Sequence, residues 1–200
     1  PLLAAFKQPL LDTASHYDQL GDHAKQYADF LTFAALEPAD TFTVSELAKA
    51  TAKLPQGGLQ HAAQALTRAL GGAGEQRIEY WRNRLRPYLL KIWPKSGELI
   101  SPALSESLGR MCLAAGDAFP EALSQVRNWL VPVEYPHYLT HLLHEANLCQ
   151  RFPSDALDFL DRIIGATAQW TPTELGQCLH QVLSNSPTLA SDPRFVRLST

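Results

Sequence analysis

The sequence predicts an all-α fold of short helices paired as hairpins. Three observations carry that expectation. Helix-start signals recur along the chain, apolar residues follow each one at spacings of three and four, and no alternating apolar pattern is bounded by hairpin turns. Spacings of three and four place side chains on one helix face, so each segment has a side to bury.

Residues 10–36 read as a helical stretch, with Tyr27, Phe30, Leu31 and Ala34 at helical spacing and Pro38 at its end. Thr43-Val44-Ser45-Glu46 fits a capping box, in which Thr43 accepts from the backbone and Glu46 reaches back. That helix runs through Leu47 and Ala50 and stops before Pro55. Gly57-Gly58 reads as a turn, and residues 59–70 as a helix with Ala62, Ala63, Leu66 and Leu70 inward. Gly71-Gly72 reads as its close. The next helix carries Ile78, Trp81 and Leu85, and Pro87 either interrupts it or opens a new turn. Tyr88, Leu89, Ile92 and Trp93 continue its apolar surface, and residues 94–97 read as a loop.

In the second half, Ser101-Pro102 pairs an N-cap with a first-turn proline ahead of Leu104, Leu108, Met111 and Ala115. Phe119-Pro120, Pro136 and Phe152-Pro153 each open a helix. Their inward sets are Ala122, Leu123, Val126 and Leu130; then Leu139, Leu142, Leu143 and Ala146; then Ala156, Leu157, Leu160 and Ile163. Thr171-Pro172-Thr173-Glu174 combines a cap, a first-turn proline and a capping-box glutamate before Leu175, Leu179, Val182 and Leu183. Phe119-Pro120-Glu121-Ala122-Leu123 recurs as Phe152-Pro153-Ser154-Asp155-Ala156-Leu157 with one insertion. The implied unit is a helix pair in the size range of helical repeats, stacked as a HEAT-like solenoid or packed as an irregular helical bundle. The expected organisation is an N-terminal helical subdomain over residues 1–98 and a helix-pair repeat region over 99–200, together one continuous domain.

Composition narrows the function. At 46% hydrophobic and 18% charged residues the chain is globular rather than disordered. A net charge of −3 gives no global electrostatic case for nucleic acid or an anionic membrane. No apolar run approaches the roughly 20 residues of a membrane span. Cys112, Cys149 and Cys178 are odd in number and widely spaced, so a reducing, cytoplasmic setting with buried thiols is expected. The sole methionine is Met111, which points to a fragment of a longer chain. Phosphate-loop, dinucleotide-binding and serine-elbow motifs are missing, and no cofactor or metal is expected.

Three constellations carry candidate chemistry. His137, His141 and His144, with Glu145 beside them, share one stripe of a helix opposite its apolar face. Such spacing suits a metal site, a binding groove or an ordinary polar face; a metal-binding His-Glu-x-x-His motif would need histidine where Leu148 stands. Residues 77–95 hold Arg77, Arg82, Arg84, Arg86, Lys91 and Lys95 against Glu79 alone, interleaved with Tyr80, Trp81, Tyr88 and Trp93. Arginine beside aromatics suits phosphate contacts and base stacking, whereas the plain reading makes the tryptophans core and the arginines a solvated rim. Residues 43–70 form either a helix-turn-helix or a simple hairpin; the would-be reader offers only Gln60, His61, Gln64, Thr67 and Arg68. Asp158 and Asp161 are expected on a solvated helix face.

At Tyr80-Trp81-Arg82-Asn83-Arg84-Leu85-Arg86-Pro87, Ile92-Trp93-Pro94 and Phe119-Pro120-Glu121-Ala122 the sequence resembles an uncharacterised helical region of large bacterial proteins. That region lies at their C-terminal side. Certain of those proteins carry a sirtuin-like or nucleotidase domain at the other end and are associated with anti-phage defence. The resemblance covers roughly the second half of the chain. It implies a partner-sensing or assembly module whose effector chemistry lies elsewhere, and it carries over no catalytic residue. The expected function is a non-catalytic interaction module that binds a protein or the rest of its own parent chain. Its rivals are a nucleic-acid module using Arg82, Arg84 and Arg86, and a metal-dependent hydrolase at His137, His141, His144 and Glu145.

Overall fold

Pairing of Thr43 and Glu46 shows how local chemistry sets the helix starts. In the computed structural model the Thr43 hydroxyl accepts from the Glu46 N–H at 3.2 Å, and the Glu46 carboxylate accepts from the Thr43 N–H at 2.9 Å. The structure describes residues 2–37, 41–92, 100–165 and 172–200. Pro38, Trp93, residues 94–97 and Thr171 of the sequence reading lie outside these. Among the described residues there is no β-strand, and the chain is all-α. No helix among the described residues is long and apolar enough to cross a membrane. The chain divides into two compact units, Pro1–Leu99 and Ile100–Thr200.

In the first unit, α1 (Leu2–Asp12) leads through 3₁₀ turns at Thr13–Gln19 and Gly21–His23 into α2 (Ala24–Leu36). The stretch expected from residue 10 is thus broken by these turns, and the left-handed Gly21 (φ 52) sits at the break. α3 (Val44–Thr51) and α4 (Gln56–Gly72) pack against α2. Gly57-Gly58 is not a turn: both residues lie in the first turn of α4. The reason is close packing. A Cβ on Gly58 would stand 2.8 Å from Leu54 Cβ and 3.0 Å from Tyr17 Cζ. α4 does end at Gly72, as expected, although the left-handed residue beyond it is Gly74, at φ 54.

Residues 77–92 run as α5 (Arg77–Tyr80), a π-turn at Trp81–Leu85 and α6 (Arg86–Ile92). Pro87 lacks an N–H, and its ring crowds the turn before it. A widened turn precedes it, in which the Arg86 N–H reaches the Trp81 carbonyl five residues back. The helical run is thus interrupted by the π-turn, and Pro87 stands in the first turn of α6, as its sequence position allows. Trp81, Leu85, Tyr88 and Leu89 are fully buried, and Tyr88 is hydrogen-bonded to Thr51 of α3 at 2.7 Å.

In the second unit, α7 (Pro102–Ala114), capped by Ser101 Oγ on the Leu104 N–H, packs on α8 (Phe119–Val126) and α9 (His137–Glu145). Gly109 lets α9 approach: a Cβ there would meet Leu139 Cδ1 at 3.0 Å. The short α10 (Leu148–Arg151), α11 (Pro153–Ile164) and α12 (Leu175–Asn185) pack on one another, and α13 (Pro193–Leu198) lies on α11. The two Phe-Pro segments share a core. The Phe119 ring stands 5.8 Å, edge-on, from Phe159 and 6.3 Å from Phe152.

Three expectations fail in this unit. Asp158 and Asp161 do not stand free in solvent, because α13 lays its arginines over them. Arg194 and Arg162 pair with Asp158, and Arg197 pairs with Asp161 while also donating to the carbonyls of Asp161 and Gly165. Arg197 thereby adds a side-chain donor at the α11 C-terminus, where the Asp161 carbonyl also accepts from the Gly165 N–H at 3.2 Å. Glu174 is the N-cap residue of α12 rather than its capping-box glutamate, and α12 has no side-chain cap. Ala146 is exposed, since α9 ends at Glu145.

Candidate functional site

α9 is amphipathic, and its two faces do different things. Leu139, Thr140 and Leu143 are fully buried, with the Thr140 hydroxyl donating to the Pro136 carbonyl at 3.0 Å. The Thr140 carbonyl accepts from the Cys178 thiol at 3.9 Å, which ties α9 to α12. The opposite face carries His137, Tyr138, His141 and Glu145, all exposed, with His144 half-buried beside them. Tyr138, His141 and Glu145 follow at intervals of three and four and form one row.

His141 is the organised member of the row. Its Nδ1 lies 3.4 Å from Glu174 Oε1 and its Nε2 lies 3.7 Å from Glu145 Oε2. The imidazole thus stands between a carboxylate of its own helix and one at the start of α12. This contact explains why the Glu174 side chain is turned away from the backbone of α12. Among the described residues no three His, Cys, Asp or Glu side chains converge closely enough to hold a metal ion. Helical spacing lines up His137, His141 and His144, but does not bring their nitrogens to one point.

Spacing alone did not single out the aromatic part of this surface. Tyr135 and Tyr138 are 66% and 48% exposed, among the largest exposed hydrophobic side chains of the molecule. The Arg110 guanidinium sits 4.5 Å from the Tyr138 ring centroid and pairs with Glu106 along α7. The available signal was the run Glu134-Tyr135-Pro136-His137-Tyr138, which puts both tyrosines off the Leu139–Leu143 face.

The basic segment is divided by its own packing. Arg82, Arg84, Arg86 and Lys91 are exposed, whereas Trp81 and Tyr88 are fully buried. Tyr80 is half-buried, with its hydroxyl donating to Glu37 at 3.3 Å. Two of the four interleaved aromatics are therefore core, and Trp93 lies outside the described residues. Two polar side chains of the would-be reader helix α4 are engaged within the first unit. His61 is hydrogen-bonded to Tyr17 at 2.8 Å, and burial lowers its pKa. Arg68 pairs with Asp29 at 2.5 Å.

All three cysteines are buried and free. Burial pushes the Cys112 thiol well above the ordinary thiol range. A hydrogen bond with Cys178, then burial, does the same to Cys149. Held protonated, these two thiols lack the thiolate character of nucleophiles.

No family model and no solved structure matches the chain. It is similar to the uncharacterized protein y4cA of Sinorhizobium fredii (strain NBRC 101917 / NGR234), 26% identical over 126 residues. That match covers 62% of this chain and 10% of the relative, so the aligned region spans about a tenth of the relative's length.

Proposed function

We propose that the chain is a non-catalytic helical interaction module of a larger bacterial protein. Its partner is a protein or another part of its own parent chain. The observation that carries this reading is the exposed row on α9. Tyr135, Tyr138, His137 and His141 stand out from a buried helix face, and Arg110 and Glu174 hold two of them in place. Tyrosine and arginine are the side chains that dominate protein interfaces, because they add contact area at little entropic cost. A bacterial relative about ten times longer than the aligned region supports the larger setting. The resemblance at residues 80–87 and 119–122 supports a role in anti-phage defence.

A photo-crosslinking amino acid at position 138 of the full-length parent tests the reading. Crosslinks concentrated on one protein or one parent segment, and lost on Tyr135→Ala with His141→Ala, are the expected result. Labelling indistinguishable from that of a probe at the exposed Lys53 would refute it. Metal content and hydrolase activity of the purified protein test the competing metal-dependent reading.

A further inference from the structure

We infer that the exposed face of residues 82–91 is a phosphate-binding strip that holds double-stranded nucleic acid through its backbone. The inference begins with how charge is distributed. Residues 100–200 contain no lysine and six arginines, and Arg110, Arg151, Arg162, Arg194 and Arg197 are each paired with a carboxylate. In the first unit Lys7 pairs with Glu46 and Arg68 with Asp29. Among the described residues Arg84, Arg86 and Lys91 have no carboxylate within ion-pairing distance; the same holds for Lys25, Lys49, Lys53, Arg77 and Arg127, but those are scattered, whereas these three fall within eight residues. They lie with Arg82 on one continuous helical segment, all exposed, and Asn83, Pro87 and Leu90 complete its outer surface.

Among the described residues, the acidic groups shown near this helix lie toward its N-terminal end. Glu75 and Glu79 precede the π-turn, and Glu37 accepts from Tyr80. Downstream of Glu79 the described helix has no acid. The scaffold beneath is rigid, because Trp81, Leu85, Tyr88 and Leu89 are fully buried. That burial also decides which nucleic acid fits. Single strands are held by bases stacked on exposed aromatics, and here Trp81 and Tyr88 face the core. Among the described residues 82–91, what remains is guanidinium and ammonium chemistry, which suits the regularly spaced phosphates of a duplex and reads no sequence.

The test is fluorescence anisotropy with a labelled duplex DNA of about two helical turns, titrated with the 200-residue chain at several salt concentrations. Three to four phosphate contacts give a slope of about −3 in log K against log salt, or a roughly fifty- to hundredfold loss of affinity between about 50 and 200 mM salt. The triple variant Arg84→Gln, Arg86→Gln and Lys91→Gln is expected to bring the slope to between about −1 and zero, since Arg82 is left in place. Arg84→Lys with Arg86→Lys, which keeps the charge, is expected to retain binding. Lys49→Gln with Lys53→Gln, exposed positions on α3 and just after it, is expected to leave the slope unchanged. Far-UV circular dichroism confirms that each variant is folded. Absence of binding at low salt, an unchanged slope in the triple variant, or tighter binding of a single strand of equal length would overturn the inference. Equally tight binding of polyglutamate of matched charge would also overturn it, and would assign the strip to an acidic protein partner.

Discussion

Tyr88 offers a test of how the first unit is held together. Its side chain is fully buried, and its hydroxyl is hydrogen-bonded to Thr51 of α3 at 2.7 Å and to Thr32 of α2. Each threonine also donates along its own helix, Thr51 to the Leu47 carbonyl and Thr32 to the Ala28 carbonyl, both at 2.9 Å. With the Thr51 proton engaged, the phenol donates its single proton to the Thr51 hydroxyl and so ties α6 to α3. Tyr88→Phe removes that donor without changing the shape of the core and is expected to cost about 1–2 kcal/mol. A loss of that size raises the open population roughly five- to thirtyfold. Hydrogen exchange read by mass spectrometry on peptides from α3 and α6 measures it within this unit alone. Thr51→Val removes one acceptor, and the double variant is expected to cost about 1 kcal/mol less than the two single variants summed. Strict additivity, or a Tyr88→Phe protein exchanging like the parent, would refute the reasoning. Burial, opposed by the hydrogen bonds, raises the phenol's pKa to about 12 from its ordinary 10.0. Its contribution is therefore full below pH 10.0 and is lost as pH rises toward about 12, a loss that Tyr88→Phe flattens.

Three further outcomes are expected. Gly58→Ala places a methyl 2.8 Å from Leu54 Cβ, so it destabilises by about 1–3 kcal/mol despite alanine's better helix propensity, which a urea melt would read. The Thr43 backbone N–H, then Lys7 and the Thr43 hydroxyl, hold the Glu46 carboxyl at about 2, below its ordinary 4.5. Its contribution is full above pH 4.5 and is lost as pH falls toward about 2, and Thr43→Ala moves the Glu46 midpoint upward in an NMR titration. Arg197→Ala takes the Arg197 donor from the Gly165 carbonyl and the Asp161 carboxylate, while the Asp161 carbonyl keeps the Gly165 N–H. It is expected to weaken docking of α13 by about 1–2 kcal/mol, read as faster proteolysis of residues 186–200; an unchanged cleavage rate counts against the clasp.

How much of this was legible in the chain itself depends on the range of the interaction. Helix starts at Thr43, Ser101, Phe119-Pro120 and Phe152-Pro153 were readable, because a cap or a first-turn proline acts within one turn. The inward faces were readable for the same reason. Leu104, Leu108, Met111, Ala156, Leu157, Leu160 and Ile163 are all fully buried, as their spacing requires. The histidine row was legible as a stripe of α9, since residues three and four apart share a face in any helix. What covers or flanks a stripe is set by other segments. That is why Asp158 and Asp161 read as solvated until α13 laid Arg194 and Arg197 over them. It is also why Glu174 read as a cap until His141 took its carboxylate.

The sequence by itself determined the helices, their apolar faces and the cations of residues 82–91, because periodicity, capping and proline chemistry are local. Tertiary structure alone decided which polar groups meet. It joined Tyr88 to Thr51 and Thr32, brought Cys149 to Cys178, and left Tyr135 and Tyr138 exposed. Those outcomes depend on close packing between segments far apart in the chain, where one Cβ at Gly58 or Gly109 decides whether two elements can touch.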